Sequence, residues 1–117
     1  MKLLNGLGFA AFLFAGFSII ANAHPFTVKE CSELASDAGH IATIRDHGVS
    51  LADIMPSVDY FINSDSSEYD SYILDPQDKL EFIALVEAIY SHPEIIPKHV
   101  SEKVYDACFK VAIRSYT

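Results

Sequence analysis

Two cysteines, five histidines and one short segment crowded with carboxylates and tyrosines are the residues of this 117-residue chain best equipped for chemistry. Cys31 and Cys108 have no second cysteine pair beside them, so they make at most half of a four-ligand zinc site. The histidines, His24, His40, His47, His92 and His99, include no His-x-x-x-His pair. His40 and His47 are seven positions apart, on the same side of a helix but about 10 Å from each other along its axis. His47 and His92 fall beside a helix end and before a proline, where imidazole caps a helix or stays solvated. The stretch from Asn63 to Leu74 places oxygen donors at alternate positions, as a calcium loop does. It fails at two places, because Glu68 stands where glycine must make the sharp turn and Leu74 where a bidentate carboxylate is required. No serine is framed by glycines as a nucleophile, and no glycine-rich loop is built to cradle phosphate. The residues thus predict no catalytic group, no metal and no cofactor, and a protein that is not an enzyme.

What remains of the 63–74 stretch is its composition: Asp65, Glu68 and Asp70 among serines, with Tyr69 and Tyr72 between them. Tyrosines supply rigid contact area and carboxylates select a basic partner, so these five residues are the candidate partner-binding set. The competing interpretation is an exposed connection without function. At twelve residues the stretch exceeds most helix connections, which favours recognition.

The compartment follows from the first 23 residues. Met1-Lys2 precedes an uncharged run from Leu3 to Ile20, and Ala21-Asn22-Ala23 then offers small residues at the positions signal peptidase reads. Residues 1–23 are expected to be a cleavable signal peptide and 24–117 a single periplasmic domain; the alternative is a permanent anchor. Export places both cysteines where disulfides form and persist, so Cys31 and Cys108 are expected to pair. Cleavage would also free the His24 amine to chelate copper with its imidazole, if a second histidine completed the site; otherwise His24-Pro25 is a ragged lead into the first helix. Of eight Lys and Arg, only Lys2 leaves with the signal, and seven against 16 Asp and Glu give the mature chain a formal charge of −9. Nucleic acid and anionic membrane are excluded as partners by the lack of a basic footprint. A basic or mixed-charge protein suits that charge, although acidity also serves solubility alone. Oligomeric state is left open.

Four helices are expected to position these groups. Thr27-Val28-Lys29-Glu30 is a capping box, and Cys31, Leu34, Ala35, Ala38, Ile41, Ala42 and the stem of Arg45 repeat at three and four before Gly48 ends the helix. Ser50 to Asp53 resembles a second box opening a shorter helix with Leu51, Ile54, Met55, Val58, Phe61 and Ile62 on its apolar face; Pro56 predicts that it is kinked or begins as two pieces. Asp75-Pro76 starts a third helix to about Ser91, apolar around nearly its whole circumference and so expected to be the most buried. His92-Pro93 stops it, and a last helix carries Val100, Val104, Ala107, Cys108, Val111 and Ala112. The expectation is an all-α, four-helix bundle-like domain in which a Cys31–Cys108 disulfide joins the first and last helices as antiparallel neighbours.

An export signal, the run C-S-E-L-A-S-D-A-G-H-I-A-T-I-R-D-H-G from Cys31 to Gly48, the Ile89-Tyr90-Ser91-His92-Pro93 break and the closing Val104-Tyr105-Asp106-Ala107-Cys108 together resemble two groups of small periplasmic helical proteins. These are the type VI amidase immunity proteins of the Rap/Tai kind and the Hde acid chaperones. The resemblance implies a compact helical fold with one disulfide and no enzymatic activity. In the immunity branch it implies occupation of the cleft of a peptidoglycan-degrading amidase; in the chaperone branch it implies activation in acid, as carboxylates neutralise and apolar helices are exposed.

Overall fold

The computed structural model describes residues 26–64 and 76–115, with side chains through position 110. These residues form four α-helices: α1 (Val28–Asp46), α2 (Leu51–Asn63), α3 (Pro76–Ser91) and α4 (Pro97–Ser115). No strand occurs among the described residues, and no helix there is long and apolar enough to cross a membrane. The signal peptide expected at 1–23, His24 and the Asp75 cap lie outside the described residues.

Local chemistry sets the ends of α1. Thr27 Oγ1 accepts from the Glu30 backbone N–H at 3.1 Å, and Glu30 Oε1 accepts from the Thr27 N–H at 2.8 Å, completing the capping box. Phe26, just before the cap, is buried, at the position from which an apolar residue pins the incoming chain. At the other end Gly48 adopts φ +91°, its N–H donates to Arg45 O at 3.0 Å, and the Val49 N–H donates to Ile44 O at 3.4 Å. That is a Schellman stop, and glycine carries it because a side chain at that φ would be strained. His47 is the C-cap, with Nδ1 2.8 Å from Thr43 O.

The Ser50 hydroxyl caps α2 by accepting from the Asp53 N–H at 3.1 Å. Pro56 does not divide this helix into two pieces, as α2 is a single assigned helix from Leu51 to Asn63. The proline withholds only the bond to the Ala52 carbonyl, and both residues lie on the exposed face, where water can take that acceptor. In α3 the expected all-round burial is also corrected. Only one face, Asp78, Phe82, Leu85, Val86 and Ile89, is buried, and Leu80 is 61% exposed. The more buried helix is α1, which is enclosed by both α3 and α4.

The pairing of α1 with α4 is the densest helix contact. Cys31 in the first turn of α1 is disulfide-bonded to Cys108 late in α4, with Cα atoms 5.5 Å apart, and Gly39 further along α1 meets Ser101 and Pro97 at the start of α4. The two helices are therefore antiparallel neighbours, as expected. α3 packs on α1, α2 packs on α3, and the buried apolar side chains of all four belong to one cluster.

Gly39 lies directly against the start of α4. A Cβ there would lie 3.2 Å from Ser101 Cβ and 3.5 Å from Pro97 O, so backbone and a short side chain must both yield to anything larger. Gly39→Leu is expected to destabilise the fold by about 1–3 kcal/mol through overpacking, despite leucine's better helix propensity. Urea denaturation followed by circular dichroism measures this; an unchanged or higher midpoint would show that α1 and α4 can separate freely.

Candidate functional site

Asp37, His40, Ile41 and Ile44 recur on α1 at intervals of three and four, and therefore form one stripe. Ile54, Ser57, Val58 and Phe61 form the same pattern on α2. The stripes line the two sides of a groove of about 250 Å³, and Phe82 of α3 joins its lining. Ile41, Ile54, Val58 and Phe82 are core residues that also line this opening, while Ser57 and His40 are exposed. The Phe61 and Phe82 rings are tilted against each other with centroids 5.3 Å apart, holding α2 to α3 beside the groove.

The outer surface of α2 is acidic. It carries Asp53 and Asp59 and has neither lysine nor arginine. Tyr60 is 75% exposed, and Asp53, Ser57 and Tyr60 follow one another at four and three, a second stripe bordering the groove. An apolar recess with carboxylates beside it and an aromatic at its edge can accept an apolar side chain while attracting cationic neighbours.

No protein-family model, curated protein or solved structure matches the chain.

The candidate partner-binding residues Asp65, Glu68, Tyr69, Asp70 and Tyr72 lie outside the described residues. Their flanks are described, and an exposed side-chain hydrogen bond joins them. Lys79 Nζ near the start of α3 donates to Asn63 Oδ1 at the end of α2 at 2.9 Å, and Asn63 Nδ2 donates back to Asp59 O at 3.0 Å. The chain thus leaves α2 and re-enters α3 close to the Phe61–Phe82 contact. Among the described residues no three His, Cys, Asp or Glu side chains gather to hold a metal ion.

Sequence reasoning passed over Tyr60 and the groove. The available signal was apolar residues off the main stripes: Ile44 falls outside the Cys31–Arg45 pattern of α1, and Tyr60 outside the apolar face of α2. It also passed over the role of Arg45, whose side chain is buried at the far end of α1. Nη1 donates to Ile89 O at 2.8 Å and His92 O at 3.2 Å, Nη2 donates to Ile95 O at 2.7 Å, and Nε and Nη2 both reach Asp46 Oδ1 at 2.9 Å. Five donors have five contacts. Tyr90 adds a second latch at this end, its hydroxyl donating to Val49 O at 2.9 Å; burial, ahead of any charge effect, raises its pKa.

Two glutamates give α3 and its exit opposite responses to acid. Hydrogen bonding from its own backbone, then from His92 at 3.0 Å, lowers the pKa of exposed Glu94. Desolvation raises that of Glu81, against the lowering effect of its bond from Gln77. For Glu94, a lowered folded pKa means a contribution present above the unfolded value and lost as pH falls through the folded one. For Glu81 the sign reverses: its contribution is present below the unfolded pKa and lost as pH rises through the folded value. Carbon-detected NMR titration is expected to place the two side chains on opposite sides of an ordinary glutamate. Coincident titration would contradict both environments.

Proposed function

We propose that this is an exported, periplasmic protein-binding protein acting by stoichiometric association, most concretely an immunity protein that inhibits a peptidoglycan-degrading amidase effector, and not an enzyme. The observation that carries the binding function is that the end of α2 and the start of α3 are joined by the Lys79–Asn63 hydrogen bond, at the two ends of the acidic, tyrosine-bearing 63–74 stretch. Holding the two ends of a segment close together lowers the entropy it has left to lose on binding. The amidase partner is drawn from the resemblance alone.

The experiment is a calorimetric titration of the mature, disulfide-intact protein into type VI amidase effectors, with peptidoglycan hydrolysis followed in parallel. A 1:1 complex that abolishes hydrolysis is the expected result. Tyr69→Ala with Tyr72→Ala is expected to cost about 2 kcal/mol or more of affinity if both anchor the partner. Circular dichroism and the melting temperature should remain close to wild type. Failure to bind any effector, together with suppression of client aggregation in acid, would replace the immunity function with the acid-chaperone function that the same resemblance implies.

A further inference from the structure

The groove between α1 and α2 is small for a metabolite site. At about 250 Å³ it falls below the roughly 300–1,000 Å³ of pockets that enclose drug-sized ligands. It suits one large apolar side chain, the kind of anchor that dominates protein interfaces when seated in a recess. Charge then selects the neighbours of that anchor. Asp37 stands on the α1 wall, Asp53 lies one turn before Ser57 beside the α2 wall, and α2 itself has no lysine or arginine.

We propose that this groove, with the Asp53–Ser57–Tyr60 stripe, docks a basic segment of a partner protein that inserts one aromatic or aliphatic side chain between Ile44 and Val58 and lays lysine or arginine against the Asp53 carboxylate. The proposal rests on the protein-binding function above and names a surface for it within the described residues. A second copy of this chain is the wrong occupant, because its formal charge of −8, or −9 without the signal, sets like charge against like. Tyr60, already outside the core, adds contact area at low entropic cost.

The test uses the mature, disulfide-intact protein and three synthetic pentapeptides: a phenylalanine flanked by two lysines on each side, the same peptide with alanine at the centre, and the phenylalanine peptide with glutamates in place of lysines. Methyl NMR is expected to show the first peptide shifting Ile44, Ile54 and Val58. The alanine peptide should bind at least tenfold more weakly and the glutamate peptide should not bind. Ser57→Lys and Tyr60→Ala, both at exposed positions, should weaken the first peptide by about tenfold and several-fold while leaving the melting temperature in place. Equal binding of the phenylalanine and alanine peptides, shifts confined to α4, or an unaffected Ser57→Lys variant would overturn the proposal. Self-association of the wild type that Ser57→Lys abolishes would overturn it in favour of a second copy. An effector inhibited equally by wild type and Ser57→Lys removes this surface and keeps the protein-binding function. Peptide docking in the groove without any inhibited effector keeps the surface and removes the immunity function.

Discussion

Arg45→Met is expected to lower the unfolding free energy by about 3–5 kcal/mol, because three backbone carbonyls would lose their charged donor at once. The guanidinium holds the carbonyls of Ile89, His92 and Ile95, which belong to the last turn of α3 and the connection to α4. Helix C-termini leave carbonyls without intrahelical donors, and here a cation from a different helix supplies them. Methionine keeps much of the packing volume but donates nothing. Each abandoned acceptor costs about 1–3 kcal/mol when water cannot reach it, and the half-buried connection lets water recover part of that for His92 and Ile95. For a domain of this size the melting temperature should fall by more than about 12 °C. Arg45→Lys should recover only a minor part, since one compact ammonium cannot reproduce a planar fork that reaches three carbonyls and Asp46 together. Urea denaturation with the disulfide intact measures both variants. A loss below about 1 kcal/mol for methionine would show that solvent replaces the clamp.

The disulfide governs the opposite end of α1. Cys31→Ser with Cys108→Ser is expected to cost about 2–5 kcal/mol, and the loop-entropy value of about 4.5 kcal/mol for a 77-residue separation lies near the top of that range. The loss should be local before it is global. Amide exchange should accelerate in the first turn of α1 and the end of α4, which the bond holds together, while the Arg45 end keeps its protection. Thiol labelling of unfolded, unreduced wild-type protein should find no free sulfhydryl, in line with the pairing. Stoichiometric labelling would contradict it and would leave Gly39 and its neighbours to hold α1 against α4 alone.

Much of the architecture was legible in the sequence because its signals act within a few residues. Thr27 and Glu30 satisfy each other's backbone donors three positions apart, Gly48 permits a left-handed stop, and Ser50 caps the next helix. Pro76 opens α3 because the first turn needs no donor from it. The cysteines were legible for a related reason: once four helices alternate in direction, the first turn of one and the end of the last must meet.

Tertiary structure alone decided the rest. Periodicity marks Arg45 as buried without saying which carbonyls lie 44 to 50 positions downstream, and it gives Gly39 no sign that Ser101 will press against it. Composition made α3 look enclosed on every side, yet a helix is buried only where a neighbour covers it, and α1 has more such cover. Pro56 looked like a break because the sequence does not say whether the orphaned Ala52 carbonyl will face solvent. The groove belongs to the same class: Ile44, Val58, Phe61 and Phe82 are ordinary apolar residues on three helices, and they define a recess only when the helices pack slightly apart. Hydrogen bonding within a turn is encoded locally, whereas burial, close approach and concavity depend on where distant segments come to rest.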